Sequence, residues 1–89
     1  MRLTSRQRNR LPDSAFVFPR GTKTRPGHRG FPVENVAHGR AALSRAAQAR
    51  SHLTPAERCA VVRKVCPLYP EVATCRGEGK SAALNRCAR

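Results

Sequence analysis

Four cysteines are the residues whose spacing constrains the chemistry of this chain most, and they suit disulfides better than zinc. They follow the pattern C-x6-C-x8-C-x11-C at Cys59, Cys66, Cys75 and Cys87. The paired C-x2-C knuckles of structural zinc sites are absent, so we predict no metal site. Cys59 and Cys66 fall on one predicted helix, about 10.5 Å apart along its axis. A disulfide needs Cα atoms within about 7 Å, so these two cannot bond to each other.

Two disulfide connectivities then remain. One joins Cys66 to Cys75 and Cys59 to Cys87, and the other joins Cys59 to Cys75 and Cys66 to Cys87. The segment between Cys66 and Cys75 is short and punctuated by proline, which favours the first connectivity. A third state, with four reduced thiols acting as small hydrophobic side chains, also stays open. The chain starts without the apolar stretch of a secretory signal, so we expect synthesis in the cytoplasm with reduced cysteines.

The histidines do not form a catalytic constellation. None of His28, His38 and His52 stands at a catalytic spacing from a cysteine or an aspartate. The segment 77–81 (GEGKS) lacks the spacing and the preceding strand of a phosphate-binding loop. A chain of 89 residues has little core in which to enclose a pocket. We therefore predict no catalytic residue, no cofactor and no small-molecule substrate, and a structural role for His38, hydrogen-bonded to the preceding coil.

Arginine dominates the charged residues. Of 18 basic side chains 15 are Arg, against five acids, so the formal net charge is +13. A GC-rich genome would raise arginine and alanine together, but it would not explain the shortage of acids. The planar guanidinium suits phosphate, and a charge this large favours a polyanion or a large assembly as partner. The candidate contact residues are the basic side chains of the N-terminal third: Arg2, Arg6, Arg8, Arg10, Arg20, Lys23, Arg25 and Arg29.

Two helices are predicted to form the centre of a mainly α fold. The first covers residues 35–50, with Asn35 as its N-cap. The second covers residues 54–66, where the start TPAE fits a capping box and Pro67 is expected to end the helix. A link of only three residues, 51–53, predicts that the helices pack antiparallel as a hairpin.

The flanking segments are assigned to an arm, a coil and a tail. Residues 1–10 are predicted as a basic arm that contacts phosphate or threads between subunits, or equally as a solvated tail. Residues 76–89 form a basic tail with a short helix predicted over 81–86. Between the arm and the tail, residues 11–75 form the helical module with its N-terminal coil.

The coil over residues 11–33 is predicted to be irregular and extended, with an exposed basic loop over 21–30. Because of Pro19, the apolar run before it is predicted to be an edge strand or not a strand at all. Three phenylalanines are predicted to be docking anchors that pin this coil onto the helices, not a platform for stacking bases: Phe16, Phe18 and Phe31. So small a chain buries too little area to fix a long coil, so we expect residues 1–33 to need a partner surface for order.

The stretch from Leu11 to about Cys75 resembles a small module of actinobacterial bacteriophages and their hosts. In that module an LP-x-SAF start leads to (F/Y)P(I/V), then to an AH…AL-R helix and a T-x-E…VR…YP helix. The matching segments here are LPDSAF at 11–16, FPV at 31–33, AH at 37–38, AL at 42–43 with Arg45, Thr54 with Glu57, VR at 62–63 and YP at 69–70. They span about two thirds of the chain. The coil departs from the module because it is lengthened and basic over 21–30, and the arm and the tail lie outside it.

Two functional hypotheses follow. Relatives of the module accompany phage head-morphogenesis proteins, so the resemblance implies a non-enzymatic structural component of a bacteriophage virion. It would be a minor capsid, cement or tail-associated subunit docked on a larger capsid or tail protein. The alternative, from the charge, is a sequence-independent nucleic-acid-binding protein, DNA-associated or a ribosome-type accessory. No apolar run approaches the ~20 residues of a membrane span, so no membrane partner is expected.

Overall fold

The computed structural model describes residues 10–48 and 51–88. These residues include an antiparallel pair of strands, β1 (Phe16–Phe18) and β2 (Gly30–Pro32), followed by three α-helices, α1 (Val36–Ala46), α2 (Pro55–Leu68) and α3 (Ala82–Ala88). Short 3-10 turns cover Asp13–Ala15 and Ala73–Arg76. The fold is mainly α, as predicted, with a small sheet added. None of the helices in the described residues is long and apolar enough to cross a membrane.

Helix α1 begins where the sequence predicts and ends earlier. The side-chain oxygen of Asn35 accepts a hydrogen bond of 2.8 Å from the backbone N–H of His38, which caps the first turn. The helix ends at Ala46, and the backbone N–H of Gln48 bonds to the carbonyl of Arg45 at 3.1 Å, so the chain tightens into a turn there. The prediction of a helix to residue 50 with a three-residue link is therefore wrong, because α1 ends at Ala46 and α2 begins at Pro55; residues 49 and 50 lie outside the described residues.

Helix α2 has the predicted capping box and continues past its predicted end. The Thr54 hydroxyl accepts from the backbone N–H of Glu57 at 3.1 Å, and the Glu57 carboxylate accepts from the backbone N–H of Thr54 at 2.9 Å. Pro67 was expected to stop the helix, but α2 runs to Leu68. Proline removes one donor in the last turn, yet the backbone N–H of Tyr69 still bonds to the Val65 carbonyl at 2.9 Å. The final turn therefore closes around the proline.

The segment predicted as an irregular coil contains a β-hairpin. Phe16 lies opposite Pro32 and Phe18 lies opposite Gly30 in the antiparallel register. Within the connection, Gly21 and Pro26 form a further bridge, and residues 23–28 of the predicted basic loop are exposed. The hairpin gives the described part of this segment its own backbone hydrogen bonds.

All three predicted anchor residues are buried, and two of them, Phe18 and Phe31, belong to the same apolar core as the helix side chains. The rings of Phe18 and Phe31 meet edge to face with centroids 5.3 Å apart, and Phe16 is 1 % exposed. Phe31 holds a φ of 61°, which is rare for an aromatic residue, and its burial compensates that backbone cost. The remaining core side chains come from the helices and the segments between them: Val33, Ala42, Leu43, Ala46, Leu53, Val61, Val62, Val65, Val72 and Leu84. Phe18 and Phe31 therefore dock the hairpin on the helices, whereas Phe16 is buried outside that cluster, with the Arg29 guanidinium over its ring.

Tyr69 joins the end of α2 to the segment after β2. Its phenol O–H donates a 2.9 Å hydrogen bond to the carbonyl of Val33. Burial raises the pKa of Tyr69 above its ordinary value, and the carboxylates of Glu34 and Glu71 raise it further. The neutral phenol, which can donate this bond, is therefore the form that the fold favours.

All four cysteines are paired, Cys59 with Cys87 and Cys66 with Cys75. This is the connectivity that the short intervening segment favours. The first bond ties α3 to α2 across 28 residues, and the second ties the 3-10 turn after α2 back to that helix across 9 residues. Because Leu84 of α3 is 2 % exposed, the segment predicted as a tail shares the core of the helical module.

Candidate polyanion-binding surface

Most acids of this chain have a partner within the fold, which leaves an excess of unpaired cations. Four of the five acids have a partner, as follows: Asp13 with Arg29, Glu34 with His38, Glu57 with Thr54, and Glu78 with Arg76. Within residues 10–48 and 51–88, Arg29 and Arg76 are the only arginines in an ion pair with a carboxylate. Most of the other cationic side chains in these residues are exposed, and none of them has an ion pair with a carboxylate.

The tip of the hairpin connection is held at the first turn of α2. The carboxylate of Glu57 accepts a 3.0 Å hydrogen bond from the backbone N–H of Lys23 as well as the one from Thr54. The Thr54 backbone N–H is the main cause that lowers the pKa of Glu57; burial opposes it, and the Lys23 N–H adds to the lowering. The hydroxyl of Thr24 also donates to the carbonyl of His52 at 3.5 Å. The backbone that carries the cations at this tip is consequently attached to the first turn of α2.

The predicted contact residues divide into three groups in the structure. Arg2, Arg6 and Arg8 lie outside the described residues. The exposed ones are Arg10, Arg20, Lys23 and Arg25. We call the cations Arg20, Lys23 and Arg25 of the hairpin connection the basic loop.

Arg29 has an internal role that its sequence position did not indicate. Its Nη1 donates to the Leu11 carbonyl at 2.9 Å and to the Asp13 carboxylate at 3.1 Å. The guanidinium carbon lies 4.2 Å from the centroid of the Phe16 ring, a cation–π contact. Arg29 thus fastens the segment before β1 to the hairpin, and the prediction that it contacts a polyanion does not fit this geometry.

A second group of cations lines a groove between α2 and α3, and the sequence analysis missed it. The groove has a volume of about 350 Å³, and Arg58, Arg63 and Arg86 are among the residues that line it. Cys59 and Cys87, joined by a disulfide, also form part of its wall. We call these three arginines the groove arginines. The basic loop is held at the first turn of α2, and the groove arginines line the groove between α2 and α3. We call the two groups of cations together the basic surface.

Other sites considered from the sequence have structural roles. His38 bonds through its ring to Glu34 in the preceding coil, as predicted. The glycine-rich segment 77–81 is held closed by Asn85, whose side chain accepts from the backbone N–H of Gly79 at 2.9 Å and donates to its carbonyl at 2.8 Å. Among the described residues, no group of three histidine, cysteine, aspartate or glutamate side chains could hold a metal ion.

Comparison of the chain with protein-family models, with curated proteins and with solved structures finds no match.

Proposed function

We propose that this protein binds nucleic acid without sequence preference, through contacts to backbone phosphates, and that it catalyses no reaction. The observation that carries the proposal is the separation of charge within the fold. Four of the five carboxylates take part in a cap or an ion pair within the chain, while the basic loop and the groove arginines have no ion pair with a carboxylate among the described residues. Arginine binds phosphate through two parallel N–H donors, and phosphate contacts carry no sequence information.

The proposal predicts a steep salt dependence. Each phosphate that is neutralised releases condensed counterions, so the logarithm of the affinity falls linearly with the logarithm of the salt concentration, with a slope of about −0.9 per contact on duplex DNA. Contacts from the basic loop and the groove arginines together correspond to a slope of about −5. The affinities of two duplexes of unrelated sequence should agree at every salt concentration.

Fluorescence anisotropy with labelled duplexes tests this directly. The variant K23Q/R25Q removes two cations from the basic loop, and R40Q/K80Q is its matched control, because it removes one lysine and one arginine that are also exposed. The first variant should reduce the magnitude of the salt slope by about 2, and the control should change it by less than half as much. A flat salt dependence of the unsubstituted protein, or equal effects of the two variants, would exclude the proposal.

We also propose that α1 and α2 form an antiparallel hairpin. Gly39, in the first half of α1, lies against the ring of Tyr69 just beyond the end of α2 and against Val65 in its last turn. Contact between the beginning of one helix and the end of the next supports opposite directions. Cross-linking that joins the start of α1 to the end of α2, and not to its start, would test this arrangement.

A second candidate function is a structural component of a bacteriophage virion, docked on a larger capsid or tail protein. The two disulfides favour this setting, because disulfides persist in oxidising surroundings such as those of a released particle. The resemblance to the phage module supports it as well. Both functions hold together if the basic surface contacts packaged nucleic acid.

The virion setting is tested by mass spectrometry of purified particles. The chain should be present in intact particles with its cysteines in disulfides, so that none of them is alkylated unless the sample is first reduced. Trypsin should cleave the isolated protein after Arg2, Arg6 or Arg8 and fail to do so in the particle. Absence from the particle, or the same cleavage in both states, would rule this candidate out.

A further inference from the structure

We propose that the groove between α2 and α3 is a discrete binding site for one phosphate group, that the groove arginines bind it, and that the Cys59–Cys87 disulfide holds the site together. The phosphate is a phosphodiester of nucleic acid or a free phosphate, which share the same oxyanion chemistry. The nucleic-acid form rests on the proposed function, whereas binding of free phosphate does not.

The first argument is the electrostatic imbalance of the groove. Three guanidinium groups line it, and no carboxylate is among the described residues that line it. Within the described residues, Arg58, Arg63 and Arg86 have no ion pair with an acid. Like charges on two packed helices repel each other, and an anion bound between them would convert that repulsion into attraction.

The second argument is an unsatisfied donor on Arg58. The Nε atom of this side chain is buried and has no hydrogen-bond partner among the described residues. Buried polar groups nearly always have partners, and a donor without one indicates a missing acceptor. Arg58 lines the groove, so rotation about its side-chain torsions can bring this N–H to an oxyanion seated there. Arginine carries donors only, so the missing partner must supply acceptor oxygens.

The third argument selects phosphate over carboxylate. The groove arginines come from two helices and converge from two walls. A carboxylate presents two oxygens, which one arginine satisfies through a bidentate contact. A phosphate group presents its oxygens in a tetrahedral arrangement and can accept from several guanidinium groups at once. The remaining wall residues, Pro55 and Ala83, are apolar, which lowers the local dielectric and strengthens these contacts.

The disulfide assembles the site because of where the arginines lie in the sequence. Arg58 directly precedes Cys59, Arg86 directly precedes Cys87, and Arg63 lies one helical turn after Cys59. The bond that joins α2 to α3, with Cα atoms 5.1 Å apart, therefore also sets the distance between the arginines. Loss of this bond should weaken phosphate binding, whereas loss of Cys66–Cys75, which lies outside the groove lining, should leave it nearly unchanged.

The test is titration of the oxidised full-length protein with inorganic phosphate, followed by nuclear magnetic resonance of the backbone and arginine N–H groups. Chloride keeps the ionic strength constant. We expect saturable shifts centred on the groove, and a loss of affinity of about tenfold in each of R58Q, R63Q and R86Q, as for a charge-assisted hydrogen bond. The control R40Q removes an exposed arginine of α1 outside the groove and should change the affinity less than about twofold. Shifts that do not saturate, or an equal effect of R40Q, would overturn the site.

The disulfide variants and nucleic acid complete the experiment. C59A/C87A should lose phosphate affinity while C66A/C75A retains it, with circular dichroism to verify helix content; retention by both variants would overturn the role of the disulfide. In nucleic-acid titrations, R58Q and R86Q should weaken binding more than R40Q. If nucleic acid binds and the groove variants have no effect, the groove site fails and the proposed function stands. If phosphate saturates the groove and nucleic acid does not bind, the proposed function fails and the site is one for free phosphate.

Discussion

Removal of the Cys59–Cys87 disulfide should destabilise this protein more than removal of Cys66–Cys75. Both bonds join Cα atoms at similar distances, 5.1 and 5.3 Å, so their local geometry does not separate them. The lengths of chain that they close differ, at 28 and 9 residues. A disulfide stabilises the folded protein chiefly because it restricts the unfolded chain, and a longer loop loses more entropy on closure.

The magnitudes follow from the loop lengths. The chain-entropy relation gives about 3.6 kcal/mol for the 28-residue loop and about 2.6 kcal/mol for the 9-residue loop at 25 °C. Helix α3 has seven residues, too few for stability on its own, so release of Cys87 also weakens the hold on buried Leu84. This second effect acts in the same direction. Small domains have free energies of unfolding near the low end of about 5–15 kcal/mol, so either loss is a large fraction of the total.

Urea denaturation of C59A/C87A and C66A/C75A, followed by circular dichroism, measures both losses. The denaturation slope should rise in both variants because their unfolded chains expand. Alanine is preferred to serine because Cys66, Cys75 and Cys87 pack against the core, where a hydroxyl would need a partner. If C66A/C75A loses as much stability as C59A/C87A, or if the latter loses less than about 1 kcal/mol, the argument from loop closure is refuted.

Three further predictions concern the contacts around α1 and α2. Gly39→Ala should destabilise the fold by about 1–3 kcal/mol through overpacking, because the new Cβ would lie 2.9 Å from the Tyr69 ring. At an open helix site the same substitution would stabilise by about 1 kcal/mol. Thermal denaturation measures which sign holds. Since the pKa of Tyr69 is raised in the folded state, its contribution to the free energy of unfolding is present below about pH 10 and is lost as the pH rises through the folded-state pKa. Tyr69 is the sole tyrosine, so its ultraviolet titration should have a higher midpoint in the folded protein than in urea, and equal midpoints would contradict the burial argument. Thr54→Ala should cost about 1 kcal/mol. Because the pKa of Glu57 is lowered in the folded state, the protein should lose stability as the pH falls through this lowered pKa. In Thr54→Ala the urea midpoint should therefore fall less steeply with decreasing pH.

The parts of the fold that were predictable depend on residues close together in sequence. The cap by Asn35 and the box of Thr54 and Glu57 each act within one helical turn, so residue types at fixed spacing suffice to identify them. The hairpin was missed because its strands have three residues each, too few to show a period of two. The glycine at position 21 was the one local signal of the turn. Its φ is 90°, and a Cβ at this position would lie 2.3 Å from the carbonyl oxygen of Arg25, so only glycine fits.

The groove arginines illustrate why a site can escape analysis by charge density. Sequence analysis selected the N-terminal third because basic residues are most concentrated there, yet Arg29 of that third is used internally. Arg58 and Arg86 are 28 positions apart, and the Cys59–Cys87 bond brings them to one groove. The signal lies in the pairing of the cysteines, since each of these two cysteines directly follows an arginine. It becomes usable only after the connectivity is known.

The charge of this protein should give salt two opposite effects, one on the fold and one on binding. A formal charge of +13 makes the compact chain repel itself, and added salt screens that repulsion. The ion pairs of Arg29 and Arg76 are also screened, but exposed pairs contribute at most about 1 kcal/mol each. Salt should therefore raise the urea midpoint of the free protein.

Bound nucleic acid should reverse this dependence, because phosphates neutralise the same cations and salt releases them. At low salt the complex should unfold at higher urea than the free protein, by mass action, and the difference should vanish as the salt concentration rises. Sodium chloride series with and without a duplex measure both trends on the same protein. If salt instead lowers the urea midpoint of the free protein, repulsion among its cations does not limit its stability. Ion pairs within the fold must then outweigh that repulsion.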